Sequence, residues 1–157
     1  MKTLTIISSV IMILFFNSCE KNIIKSGTVP NTIKSAFQSE HQSAKQVEWM
    51  KEGENFEVEY KENGLEKSIL YDAQGNILET ETEIIVSELL PAITDYIRQN
   101  YSDYKIEEAS KEESQESTFF ELEIEGNNQE IEVLFDSNGK FIEQKIEEDD
   151  EKDDQED

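Results

Sequence analysis

The chain writes one stretch twice. Phe56 to Leu78, FEVEYKENGLEKSILYDAQGNIL, aligns without a gap on Phe120 to Ile142, FELEIEGNNQEIEVLFDSNGKFI, at an offset of 64 residues. Identical pairs include Glu57/Glu121, Glu59/Glu123, Asn63/Asn127, Leu70/Leu134, Asp72/Asp136 and Gly75/Gly139, and apolar positions agree in kind, Phe56 with Phe120 and Val58 with Leu122 among them. A duplication of that length constrains the fold more than any other feature, because two like units must bury like faces.

Within the first copy the pattern is that of strands. Lys45 to Met50 alternates, with Val47 and Trp49 on one side, and Phe56, Val58 and Tyr60 alternate with Glu57, Glu59 and Lys61. Asn63-Gly64 tolerates the positive φ of a type I′ hairpin turn, and Asp72 to Asn76 turns a third strand, Leu65 to Tyr71, into a fourth, Ile77 to Thr82. Ahead of the strands, Val29-Pro30 opens a helix of about 12 residues whose buried face carries Ile33, Ala36 and Phe37. Val86 to Tyr101 repeats that helix with Leu89, Leu90, Ile93, Ile97 and Tyr101. The helices match at an offset of 60, which leaves Pro30 and Pro91 one position out of register and predicts a slipped helix start. Tyr104 to Ala109 corresponds to the Trp49 strand, with Ala109 opposite the tryptophan. SKEESQEST then reads as a longer loop than KEGEN and absorbs the growth of the offset from 60 to 64.

These elements predict an α+β fold: two tandem repeats of one helix and four strands, joined into one antiparallel sheet of about eight strands with both helices on one face, sharing one modest core. Phe56, Val58, Tyr60, Ile69 and Tyr71 would face the helices, with Phe120, Leu122, Ile124, Val133 and Phe135 beside them. The opposite face carries Glu57, Glu59 and Glu66 in one copy and Glu121, Glu123, Glu130 and Glu132 in the other. Leu70 and Leu134 interrupt that polar face at equivalent places. With Trp49, an aromatic of the core or its rim, they are the candidate docking residues.

Met1 to Ser18 starts with Lys2 and runs apolar from Leu4 to Phe16, broken only by Thr5, Ser8 and Ser9. It is shorter than the ~20 residues of a membrane span and has the shape of a secretion signal. The run ends in FNSC, with the only cysteine, Cys19. That ending resembles the lipobox of bacterial lipoproteins, which implies cleavage before Cys19 and lipid on its sulfur. Ser18 suits the pattern, while Phe16 and Asn17 depart from its Leu/Ala form. The alternative is an ordinary signal peptide with a free thiol, since a lone cysteine forms no internal disulfide. The expected organisation is a leader over residues 1–18, a polar tether over 19–27, repeats over 28–84 and 85–146, and a disordered acidic tail over 147–157.

VPNTIKSAFQSEHQSAKQVEWMKEGENFEVEYKENG, followed by ILYDAQGNIL, resembles the PepSY-like, beta-lactamase-inhibitor-protein-like lipoproteins of Bacteroidetes-type bacteria. The resemblance covers about residues 28–146 and rests on the Val-Pro opening, Phe37, Val47 to Trp49, the alternating strand and the Tyr-Asp-x-x-Gly-x turn; the second repeat keeps the last two and lacks the tryptophan. It implies the repeat architecture and a non-catalytic binding or inhibitory module of the cell envelope. It transfers no functional residue, since these positions make the fold.

Lys+Arg 14 against Asp+Glu 37 gives a net charge of -23, which excludes phosphate backbones as partners and keeps the chain soluble. His41 is the only histidine, at the end of a helix and far in sequence from any Ser-x-Gly context, and it reads as a packing or capping residue. Enzymatic activity and a cofactor are not expected. The expected partner is a protein of the envelope, with a hydrolase as a target of inhibition, the membrane being reached through Cys19 and the chain being a monomer. The periplasmic or outer orientation stays open. The alternative function is binding of divalent cations by oxygen ligands in the turns DAQGN and DSNGK and in the tail, although neither turn has the spaced Asp-x-Asp-x-Asp-Gly form.

Overall fold

The computed structural model describes residues 22–147. The leader, Cys19 and the acidic residues after Glu147 lie outside that range, and so do the expectations attached to them. Nine strands form one antiparallel sheet whose spatial order is the chain order: β1 (Ile23–Ile24), β2 (Lys45–Glu52), β3 (Asn55–Glu62), β4 (Leu65–Tyr71), β5 (Ile77–Glu83), β6 (Lys105–Ser114), β7 (Thr118–Gly126), β8 (Gln129–Asp136) and β9 (Phe141–Glu147). Two helices, α1 (Asn31–Glu40) and α2 (Pro91–Asn100), cover one face.

The duplicated stretch forms the same hairpins in both halves. Asn63 and Gly64 take positive φ in the β3–β4 turn, and Asn127 and Asn128 do so in the β7–β8 turn. Asp72 and Asp136 close the following turns with one carboxylate oxygen each. Oδ1 of Asp72 accepts from the amides of Gln74 and Asn76 at 2.9 and 2.8 Å, and Oδ1 of Asp136 from those of Asn138 and Lys140, both at 2.9 Å. The Asn76 side-chain amide, donating to Oδ2 of Asp72 at 2.7 Å, together with the backbone amides holds Asp72 below its ordinary range, and the backbone amides do the same for Asp136. The aspartates are therefore turn-makers, with their Oδ1 atoms directed at the backbone.

Each helix is entered through a 3-10 turn, Ser26–Thr28 or Val86–Glu88, followed by a buried residue, Val29 or Leu89. Ile33 with Phe37, and Ile93 with Ile97, are buried four residues apart on the sheet side. The expected slip of the helix start does not occur: α1 and α2 begin and end at equivalent positions. The proline alone moves, from the N-cap at Pro30 to the first turn at Pro91, where its missing N–H costs nothing.

Four further expectations are corrected. The shared core is in fact two clusters. Val29, Ile33, Phe37, Trp49, Val58, Tyr60 and Tyr71 belong to the first, while Leu89, Ile93, Ile97, Leu122, Ile124, Val133 and Phe135 belong to the second. At the β5–β6 seam between them, Thr80 and Thr82 stand across from Glu113 and Lys111 on the helix side, and Ile84, just beyond β5, packs against the second cluster. SKEES is strand, not loop: β6 continues to Ser114, pairing with both β5 and β7, and the four extra residues lengthen a hairpin. Val47 does not join Trp49 in the core: at a register shift between Lys45 and Glu48, with Gln46 at φ 52°, Val47 is 39% exposed while Trp49 packs inward. Finally, the last part of the expected tether is structured. Ile23 and Ile24 pair with Met50 and Trp49, and the Lys51 amide donates to the Asn22 carbonyl at 3.1 Å, giving the sheet its ninth strand.

Candidate binding face

Antiparallel neighbours share a face, so the ladder pairs trace the side of the sheet that the helices leave open. Met50, Glu57, Leu70 and Glu79 lie in one row across β2 to β5. Glu59, Ser68, Glu81, Glu112 and Phe119 form the next, from β3 to β7. Ser110, Glu121, Leu134 and Glu143 cross β6 to β9, followed by Glu108, Glu123, Glu132 and Lys145. The seam that divides the core does not divide this surface.

Leu70 and Leu134 are both on this face, and both are buried, at 9% and 4% exposure, under their glutamate neighbours. Trp49 is not with them. It is 6% exposed on the helix side, edge-on to Phe37 at 5.6 Å between ring centroids. Met50 and Phe119 are the apolar residues of the open face that sequence reasoning missed, each buried beside the core residue that follows or precedes it in its strand. The adjacent apolar pairs Trp49-Met50 and Phe119-Phe120 were the available signal, since two neighbours in a strand point to opposite faces.

Crowding sets the electrostatics. Burial against the apolar floor pushes Glu79 and Glu121 up to about 8 and Glu57 and Glu123 up to about 7, with repulsion from Glu112, Glu132, Glu59 and Glu130 respectively adding to it. Glu81 and Glu112 are raised by the same burial. A shallow recess beside Leu134, lined by Glu121, Glu132, Glu143, Gln144 and Lys145, encloses about 10 Å³, room for one water. The face is thus a surface carrying partly protonated carboxyls and not a pocket for a small ligand.

His41 sits away from this face, at the C-cap of α1. Its ring stacks on Phe37, and Nδ1 lies 3.1 Å from the Tyr60 hydroxyl and 3.3 Å from Glu62. Ser43 donates to the same Glu62 carboxylate at 2.8 Å. The carboxylate stands between serine and imidazole, so this cluster does not form the serine-to-histidine hydrogen bond that nucleophile activation needs. Among the described residues, no group of three or more His, Cys, Asp and Glu side chains is arranged to hold a metal ion, and no helix is long and apolar enough to cross a membrane.

The profile of the family described as beta-lactamase-inhibitor-like, PepSY-like matches residues 16–79 and again 63–143. The chain belongs to this family. Several solved structures share the fold. A DUF2874 family protein from Bacteroides uniformis superposes with a TM-score of 0.66 at 17% identity over 74% of this chain and 88% of that one. A BLIP-like protein from Bacteroides fragilis gives 0.61 at 24% identity over 77% and 89%. A protein from Bacteroides eggerthii, described as a candidate periplasmic protein, gives 0.68 at 14% identity over 75% and 88%. At these identities the likeness is one of fold. No curated protein matches the chain.

Proposed function

We propose that this PepSY-like chain is a non-catalytic binding module of the cell envelope, lipid-anchored through Cys19, which docks a basic protein surface on the open face of its sheet. One observation carries the reading: the glutamates around Leu70 and Leu134 are held on an uncovered surface at the cost of mutual repulsion and lost hydration. Lysine or arginine side chains arriving there would replace retained protons as counter-charges, over a floor formed by the buried Met50, Leu70, Phe119 and Leu134. The family description and the BLIP-like neighbour support inhibition of an envelope hydrolase or peptidase as the outcome of docking. The leader ending in Cys19 and the description of the Bacteroides eggerthii neighbour support the envelope.

The test is photo-crosslinking in living cells from Ser68, on the open face, with exposed Gln38 of α1 as the control. A protein caught from Ser68 alone should bind the purified chain, and Glu81→Lys with Glu121→Lys should abolish that binding. Equal capture from Gln38, or binding indifferent to the two lysines, would refute the assignment of the face.

A further inference from the structure

The two edges of the sheet are unlike. At one edge β2 is covered over Trp49 and Met50 by β1, with Asn22 accepting from Lys51 beyond it. At the other edge β9 pairs only with β8, and among the described residues no further strand follows it. Its counterpart one repeat earlier, β5, has both sides paired, to β4 and β6. Ile142 and Ile146 on β9 are 37% and 46% exposed. An open edge seven residues long is a template for another strand.

The sequence of that edge complements itself. Around Gln144, β9 reads Ile142-Glu143-Gln144-Lys145-Ile146. Reversed against its own copy with Gln144 at the centre, Glu143 falls opposite Lys145 and Lys145 opposite Glu143, both on the open face. Ile146, which pairs with Ile131 on the helix side, falls opposite Ile142, the residue at the register shift between β8 and β9, twice. A two-fold axis through Gln144 thus makes two opposite-charge pairs and two apolar pairs at once, as an isologous interface requires. A basic peptide would match Glu143 and leave Lys145 opposed by like charge. A head-to-tail pairing of β9 with β2 would have to displace β1.

We propose that β9 pairs antiparallel with β9 of a second copy in this register, joining two nine-stranded sheets into one continuous sheet. The test is analytical ultracentrifugation of residues 20–157, which keep every described element and lack Cys19, at physiological ionic strength, where the Debye length is about 8 Å and distant carboxylates are screened. The wild-type chain should show a concentration-dependent dimer, and hydrogen exchange should show the β9 amides that point away from β8 protected only in that dimer. Glu143→Lys and Lys145→Glu should each be monomeric and, by circular dichroism, folded. An equimolar mixture of the two variants should regain the dimer, because each then supplies the charge the other needs. Should Lys145→Glu lose its fold beside Glu132, the loss of the dimer in Glu143→Lys and its return in Glu143→Lys with Lys145→Glu on one chain decide the matter. A wild-type chain that stays monomeric, a dimer indifferent to both variants, or a monomer that instead adds an oligolysine peptide along β9 would each overturn it.

Discussion

Glu121 stands directly across the β7–β8 ladder from Leu134, as Glu57 stands across β3–β4 from Leu70. A carboxyl that must lie against a leucine gives up hydration, and the fold makes that pairing twice.

The first consequence is an unusual pH dependence. The folded pKa values of Glu57, Glu79, Glu121 and Glu123 are raised from 4.5 to about 7 or 8, so the folded chain holds more protons than the unfolded one between those limits. Stability must fall as pH rises through that window. Glu62, Asp72 and Asp136 are shifted the other way and stabilise only above about pH 4. Thermal unfolding should therefore be latest near pH 5, with a midpoint at pH 8.5 lower by at least roughly 5 °C. A midpoint that climbs from pH 5 to 8.5 would contradict the burial of these carboxyls.

Glu121→Gln isolates one of these groups. The amide keeps the shape and carries no charge, so it should stabilise the chain by on the order of 1 kcal/mol at pH 8, after allowance for solvent screening. The gain should shrink towards zero at pH 4, where the glutamate is mostly neutral in both states. Urea titrations at the two pH values measure the difference.

The divided core predicts divided opening. Ile33→Ala and Ile93→Ala remove fully buried side chains at equivalent positions and should each cost about 2–5 kcal/mol. Native-state hydrogen exchange should speed up mainly in β2 to β4 for the first and mainly in β7 to β9 for the second, since the two buried clusters share no residue and Thr80 and Thr82 face Glu113 and Lys111 across the β5–β6 seam. Uniform loss of protection in both variants would mean that the halves open as one unit.

Gly126 is demanded by space and not by backbone conformation. A Cβ there would lie 2.7 Å from the Asp103 carbonyl oxygen and 2.7 Å from the Tyr104 ring. Gly126→Ala should destabilise by about 2–3 kcal/mol, and truncating Tyr104 should restore little, because the Asp103 backbone remains. Gly27→Ala, with nothing within 4 Å, should stay within about 0.5 kcal/mol of the parent in the same denaturant titration.

Where burial differs from one side of a strand to the other, the sequence was legible. FEVEY and FELEI announce β3 and β7, Asn63-Gly64 announces a hairpin, and Leu70 and Leu134 stand out against the glutamates around them. Where both sides are polar, alternation carries no signal, which is why Ser110 to Ser114 looked like a loop although it pairs with strands on both sides. β1 is two residues long and shows no period at all. The displacement of Val47 comes from an irregularity at Gln46, and a positive φ at glutamine has no sequence signature of the kind glycine supplies. Open-face glutamates could be read from the pattern of β3 and β7, but their raised pKa values come first from burial and then from carboxylates that the sheet gathers around them, Glu59 and Glu52 beside Glu57 and Glu132 and Glu81 beside Glu121, which alternation along one strand does not report.

Each half keeps its own interior, one built on Trp49, Phe37 and Tyr60 and the other on Tyr96, Phe135 and Phe141. Substitutions inside one half can therefore be absorbed without retuning the other. The glutamate-covered side has no such freedom, because Glu112 and Glu121 of the second half feel Glu81 of the first. Two separately repairable bodies have ended up presenting a single exterior, and any change to its charge on one side of the join is felt on the other.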